Sequence, residues 1–223
     1  MQNKNMSERI RRMVAIAVFA ALAYVSVALL RIPVMFLTFD FKDVIVTVCG
    51  LFYGPMAAFT LAIIVPLLEF ITISDTGVYG LIMNFLSTAA FSITASLIYK
   101  FKKTLGGALI GLISGIFAMT AVMMLANLLV TPYYMGVPTA TVAALIPKLL
   151  LPFNLIKAVL NAAIVLLLYK PISRILRRSG MLDSSSENVV KNTNSKSRSV
   201  LVTVIALAII AASFAIIFLV LAS

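Results

Sequence analysis

The sequence contains no histidine, no tryptophan and a single cysteine, Cys49. One cysteine cannot form an internal disulfide, and a chain without histidine is not expected to hold a zinc ion on His and Cys ligands. Acidic residues are also scarce, with 7 Asp and Glu against 18 Lys and Arg. The motifs of P-loop ATPases, zinc proteases and serine hydrolases are absent. The sequence therefore predicts none of these three enzyme activities and no metal site.

Hydrophobic residues make up 62% of the chain and charged residues only 11%. Apolar runs of about 20 residues recur, and each is long enough to cross the hydrocarbon layer as a helix. The short alternating segments of a β-barrel are missing. The net charge of +11 comes from basic residues beside the apolar runs, which is the positive-inside pattern and not a nucleic-acid surface. These features predict an all-α, multi-pass protein of the cell membrane.

The apolar runs predict three regions: a six-helix membrane domain at 1–178, a disordered polar linker at 179–199 and an additional transmembrane helix at 200–223. Residues 44–73 form either one long span or two spans broken at Gly54-Pro55. The break places every basic cluster on one side, together with a cytoplasmic N-terminus, and so it is favoured. Three loops then face outward, at 31–41, 74–80 and 131–147.

Charged and amide side chains inside these spans are the main functional candidates, because such residues are costly in a bilayer. Asn154, Lys157 and Asn161 share one helix face at spacings of three and four residues. Lys157 has three open interpretations: a structural ion pair with Glu69, a side chain that extends to the membrane surface, or part of a polar ligand cavity. A single asparagine, such as Asn84 or Asn127, is equally consistent with hydrogen bonding between helices.

Aromatic and small residues give two further patterns. The aromatic side chains of the outward loops, including Tyr134, form either an interfacial belt or a lid that stacks on a planar ligand. Ala17 and Ala21 lie four residues apart on the first span, and glycines at 107, 111 and 115 repeat that spacing on the fifth. Such ridges allow close helix packing, either within the protein or against another membrane subunit.

Four segments resemble the substrate-binding (S) components of energy-coupling factor (ECF) vitamin transporters, and among these the riboflavin-specific members most closely. The segments are 39–44 (FDFKDV), 51–55 (LFYGP), 76–86 (TGVYGLIMNFL) and 152–157 (PFNLIK), within a resemblance that covers about residues 10–178. The resemblance implies a six-helix fold with a vitamin pocket open to the outside. It also implies three partners besides the lipid bilayer: a transmembrane coupling subunit, docked at Ala17 and Ala21, and two ATPase subunits.

The resemblance implies riboflavin as the transported ligand, not as a cofactor, and flavin mononucleotide (FMN) is a further candidate. Motif positions and the helix-face argument together give the following substrate-binding candidates: Asn127, Asn154, Lys157, Glu69, Asn84, Phe39, Asp40, Thr76, Gly77, Tyr134 and Asn161. The alternatives are an S component for another vitamin such as biotin, a carrier that works without ATPases, an intramembrane enzyme and a scaffold. The seventh apolar run departs from the six-helix pattern.

Overall fold

The computed structural model describes residues 2–179, 204–213 and 215, and these are almost entirely helical. The elements are α1 (Gln2–Leu29), β1 (Ile32–Val34), β2 (Leu37–Phe39), α2 (Lys42–Tyr53), α3 (Pro55–Thr72), α4 (Gly77–Phe101), α5 (Leu105–Met135), α6 (Thr139–Leu145), a π-helical stretch (Ile146–Leu150), α7 (Leu151–Arg178) and α8 (Val204–Ser213). Five helical stretches of the described chain are long and apolar enough to cross a membrane: Glu8–Leu29, Pro55–Thr72, Gly77–Phe101, Leu105–Met135 and Thr139–Leu176. The all-α membrane fold is confirmed.

The predicted break at Gly54-Pro55 is present. Gly54 has φ 93° and ψ 168°, a conformation that favours glycine, and Pro55 occupies the first turn of α3, where a missing N–H costs nothing. The resulting α2 has only 12 residues, and nine of them are buried. A helix this short spans about 18 Å, so it depends on the neighbouring helices to cover it.

The long helices of the described chain run between two ends of a bundle. We call one end the hairpin end, because it carries the antiparallel pair β1–β2, in which Ile32 faces Phe39. The other end carries the N-terminal arginines. Arg12 donates to the carbonyl oxygen of Tyr53 at 2.8 Å there, and so satisfies the C-terminus of α2.

Helices α4 and α5 pack with their backbones almost in contact. A Cβ on Gly111 would lie 2.6 Å from the carbonyl oxygen of Ala95, and one on Gly115 would lie 3.0 Å from that of Phe91. Of the two interpretations of this glycine ridge, packing within the protein is therefore confirmed.

Two loop predictions need correction. The predicted loop at 31–41 contains the β-hairpin, whose strands have only three residues each. The predicted loop at 131–147 is wrong over most of its length: α5 continues to Met135 with Pro132 inside it, and α6 begins at Thr139. Membrane helices tolerate an internal proline when neighbours cover the freed backbone groups. Gly136, in the left-handed conformation (φ 65°), is what ends α5.

Most of the predicted linker and the ends of the predicted seventh span lie outside the described residues. Inside that span, Val204–Ser213 is helical. Those two regions stay predictions.

Candidate functional site

A cavity opens at the hairpin end, between the hairpin, the α3–α4 turn and helices α3, α4, α5 and α7. The space between its side chains, together with the open solvent at its mouth, is about 980 Å³. Apolar and polar side chains both contribute to its walls. It is therefore suited to a ligand with an apolar body and a few hydrogen-bonding groups.

The floor of the cavity holds two ion pairs that cross between distant parts of the chain. Lys157 Nζ on α7 lies 2.9 Å from Asp40 Oδ2, just after the hairpin. Lys42 Nζ on α2 lies 2.9 Å from Glu69 Oε2 on α3 and 3.6 Å from Asp40 Oδ2. All four side chains are at most 7% exposed. Buried charges need such partners, since an unpaired one would cost several kcal/mol.

Asp40 is the point where the hairpin joins this floor. Burial by itself would raise its pKa, but the ammonium groups of Lys157 and Lys42 outweigh burial and lower the pKa to about 2. Lys157 also donates to the carbonyl oxygen of Thr38 at 3.4 Å. The lysine thus ties α7 to the segment that carries the hairpin.

A third carboxylate, Asp43, lies in the first turn of α2 behind the ion pairs. Its Oδ1 accepts from the Thr88 hydroxyl at 2.6 Å, and its Oδ2 accepts from Asn161 Nδ2 at 3.2 Å. Lys157 Nζ lies 3.9 Å from the same Oδ2. Asp43 therefore holds the lysine and α4 in place from a position outside the cavity wall.

Two amides from different helices complete the polar wall. Asn127 on α5 donates to the Met123 carbonyl at 2.7 Å and accepts from the Thr131 hydroxyl at 2.9 Å. Asn154 on α7 donates to the Leu150 carbonyl at 2.8 Å, at the last residue of the π-helical stretch. These bonds fix the direction of both amides, and π-helical turns are frequent at functional sites.

The mouth of the cavity is closed on one side by an ion pair between two loops. Arg31, just before β1, lies 3.0 Å from Asp75 Oδ2 and donates to the Ile73 carbonyl at 3.0 Å. On another side, the rings of Tyr79 and Tyr134 meet edge to face with centroids 6.1 Å apart. The mouth thus carries one guanidinium group and two aromatic rings.

Two polar atoms in the cavity wall have no hydrogen-bond partner among the described residues. Glu69 uses Oε2 to accept from both Lys42 and Asn84, at 2.9 and 3.0 Å, while Oε1 is unpartnered. Ser87 Oγ is unpartnered as well. Buried polar atoms are almost always satisfied, so these two atoms stand out in the wall of the cavity.

The cavity brings together eight of the eleven side chains predicted from the sequence: Asp40, Glu69, Thr76, Asn84, Asn127, Tyr134, Asn154 and Lys157. Three do not line it. Phe39 is fully buried in an apolar cluster with Leu160, and Asn161 lies behind the wall on Asp43. Gly77 starts α4 beside the mouth with open space around it.

Two of the three interpretations of Lys157 are wrong. Its side chain is buried and does not extend to the membrane surface, and its partners are Asp40 and Asp43, not Glu69. Sequence reasoning missed Lys42 and Arg31, which also line the cavity. Lys42 stands inside the motif at 39–44, and a lysine directly before an apolar run was the available signal.

Ala17 and Ala21 are far from the cavity and exposed on the outer face of α1. Large apolar side chains flank them, including Val14, Val18 and Leu22, at 48–53% exposure. Such a face packs either against lipid or against another membrane helix.

The sequence and the fold are both similar to those of known proteins. The sequence matches the protein family described as "ECF transporter, substrate-specific component" over residues 11–169. Riboflavin transporter RibU of Staphylococcus aureus (strain TCH60) is 31% identical over 178 residues, which cover 75% of this chain and 93% of the relative. Riboflavin transporter FmnP of Bacillus subtilis (strain 168) is 28% identical over 179 residues, covering 72% of this chain and 91% of the relative.

A solved structure of similar fold supports the same assignment. It is described as "Structure and mechanism of the S component of a bacterial ECF transporter", and it superposes with a TM-score of 0.64 at 30% identity, covering 79% of this chain and 99% of the other. Together with the family match over most of the membrane domain, this shows that the chain belongs to the substrate-specific (S) components of ECF transporters.

Proposed function

We propose that this protein is the riboflavin-binding subunit of an ECF transporter, and that it captures the vitamin from outside the cell and passes it inward without chemical change. The observation that carries the proposal is the cavity at the hairpin end, where Asn127, Asn154 and Lys157 converge from α5 and α7. The names of the two related riboflavin transporters support the choice of vitamin.

The chemistry of the wall favours a neutral heterocycle. The floor contains two lysines and two carboxyl groups, and the Asp43 carboxyl group lies behind them, so the floor offers no net positive charge to an anion. Biotin would bring a carboxylate that must compete with Asp40 for Lys157. The flavin ring is planar and uncharged, with an apolar dimethyl edge and a polar pyrimidine edge, and fixed amides can bind the latter because they both donate and accept.

The same reasoning favours riboflavin over FMN. A phosphate would need a free cation, and the guanidinium group at the mouth, Arg31, is already engaged by Asp75 and the Ile73 carbonyl. Binding of FMN would have to break that pair. We therefore expect FMN to compete more weakly than riboflavin.

Direct titration tests the ligand. The purified protein in detergent should quench flavin fluorescence at nanomolar to micromolar riboflavin, with biotin and thiamin unable to displace it. Saturable binding of biotin or thiamin without riboflavin binding would overturn the choice of vitamin and keep the family. Absence of any vitamin binding would count against the transport role itself.

The proposed orientation puts the hairpin end outside and the N-terminus in the cytoplasm of the cell. Cys49, the one cysteine, is buried, so single cysteines can be introduced at exposed positions. A membrane-impermeant maleimide should label Met35→Cys, whose native side chain is 75% exposed at the hairpin tip, in intact cells. It should label Ser179→Cys, beyond the end of α7, only after permeabilisation, and the opposite pattern would invert the topology.

We further propose that transport requires two ATPase subunits and a transmembrane coupling subunit, and that the coupling subunit docks on α1 at Ala17 and Ala21. The exposure of both alanines supports this. Vesicles that contain the whole complex, with its ATPase subunits on the inside, should accumulate riboflavin only when ATP is enclosed in the vesicles. Uptake by this chain alone would establish the stand-alone carrier instead.

A further inference from the structure

Helix α8 lies beside the hairpin end of the bundle. Ala206 and Ser213 are 2% and 6% exposed, whereas Ile205 and Leu207 are 49% and 53% exposed. Ala206, Ile210 and Ser213 are spaced by four and three residues and therefore share one face. That face is turned toward the rest of the protein.

The contact made by this face is specific. Ile210 packs against the apolar cluster formed by Phe39 of β2 and Leu160 of α7. Phe39 also meets the rings of Phe41 and Phe153 edge to face, with centroids 5.7 and 6.5 Å away. The helix thus closes a cluster that joins the hairpin to α7.

Both anchor residues of the cluster are neighbours of the ion pair in the cavity floor. Phe39 immediately precedes Asp40, and Leu160 follows Lys157 by one helical turn. The Asp40–Lys157 contact at 2.9 Å therefore joins the same two segments, the hairpin region and α7, as the Phe39–Leu160 cluster. Ile210 adds apolar contact to that cluster.

We infer that α8 braces the hairpin over the cavity, with Ile210 as a positioning residue for ligand retention. This rests on the proposed function for its ligand, but the brace itself is a property of the ligand-free protein. Loosening the brace lets the hairpin and Asp40 move away from α7. A bound vitamin then leaves faster, whereas its entry is not slowed.

The chain offers a matched control for the test. Ile210→Ala and Ile205→Ala remove the same atoms from the same helix, one from the packed face and one from the exposed face. In the full-length, ligand-free protein, amide hydrogen exchange of segment 31–41 should accelerate by about fivefold in Ile210→Ala, because a partly buried isoleucine loses three side-chain carbons and their packing contacts. Ile205→Ala should match the wild type.

Riboflavin dissociation by stopped-flow fluorescence supplies the functional readout. Ile210→Ala should raise the dissociation rate by about the same factor with an unchanged association rate, and Ile210→Leu should restore it. A variant that merely destabilised the protein would speed exchange in all helices and lower the fraction able to bind. If Ile210→Ala does not fold, Ile210→Val carries the same test with a smaller expected change.

The two measurements distinguish a failure of the brace from a failure of the proposed function. Unchanged exchange of segment 31–41 in a folded Ile210 variant overturns the brace, whatever the ligand. Accelerated exchange with unchanged riboflavin dissociation overturns the role in ligand retention. If the wild type does not bind riboflavin, the proposed function fails, while the exchange experiment still decides whether α8 holds the hairpin.

Discussion

Replacing Lys157 with methionine separates the two roles that the structure gives this side chain. Its ammonium group lies 2.9 Å from Asp40 and 3.9 Å from Asp43, and all three groups are buried. Methionine keeps much of the volume but removes the nearest cation from both carboxylates, so that Asp40 keeps only Lys42, at 3.6 Å. Breaking a buried pair by removing one partner costs roughly 3–5 kcal/mol. For a chain of this size we expect the unfolding temperature of the ligand-free protein to fall by about 6–20 °C.

A second substitution shows how much of that loss is uncompensated charge. In Lys157→Met/Asp40→Asn, the carboxylate that has lost its nearest cation becomes a neutral amide, while Asp43 retains its bonds from Thr88 and Asn161. Most of the lost stability should return. Riboflavin affinity should stay low in both variants, because the lysine that lines the cavity is absent from both. Lys148→Met, an exposed lysine on the same helical stretch, is the control and should change neither quantity.

Thermal unfolding without ligand and fluorescence titration with ligand measure the two effects independently. An unfolding temperature within about 2 °C of the wild type, less than one kcal/mol on this scale, would contradict the buried ion pair. Recovery of riboflavin affinity in the double variant would show that Lys157 acts only by neutralising Asp40. In that case the lysine would be removed from the set of ligand contacts.

Two further predictions concern the mouth and the outer face of α1. Asp75→Asn should release Arg31 and raise the riboflavin dissociation rate by at most about fivefold, since an exposed ion pair contributes about 1 kcal/mol or less. The increase, measured by stopped-flow fluorescence, should become smaller in high salt. An increase that does not depend on salt would contradict a role for the ion pair in holding the mouth closed. Ala17→Leu and Ala21→Leu should abolish uptake by the reconstituted transporter while riboflavin binding is unchanged. The control Ala121→Leu, at an exposed position on α5, should leave both uptake and riboflavin binding unchanged. Normal uptake by the two α1 variants would exclude docking of the coupling subunit at Ala17 and Ala21.

The placement of basic residues in the sequence predicted the break between α2 and α3, which is the least obvious feature of the fold. Nothing in the apolar run at 44–73 marks α2 as a separate helix except Gly54-Pro55, and ten apolar residues are too few to span a bilayer unaided. Requiring all basic clusters to lie at one end nonetheless demanded the break that the structure contains. The positive-inside rule succeeds because it constrains all the loops of the chain together, whereas hydropathy is evaluated one segment at a time.

Local reasoning failed where tertiary contacts override it. Pro132 and the two tyrosines after it predicted a loop, but neighbouring helices allow α5 to continue to Met135. The hairpin was missed because strands of three residues give no periodic signal. Its stability comes from contacts with distant residues, such as Phe39 with Phe153.

The rarity of polar residues in the membrane identified most of the charged and amide side chains of the cavity wall, but it could not predict how these side chains pair. Lys157 and Asp40 are 117 positions apart, and Lys42 and Glu69 are 27 apart. The pairing changes what the site offers to a ligand. A lone Lys157 would attract anions, whereas a lysine already bound to Asp40 contributes one directed donor in a nearly neutral wall. Discrimination should then depend on the fixed amides of Asn127 and Asn154 and on the unpartnered Glu69 Oε1, which reward a ligand with matching donors and acceptors, not one with a matching charge.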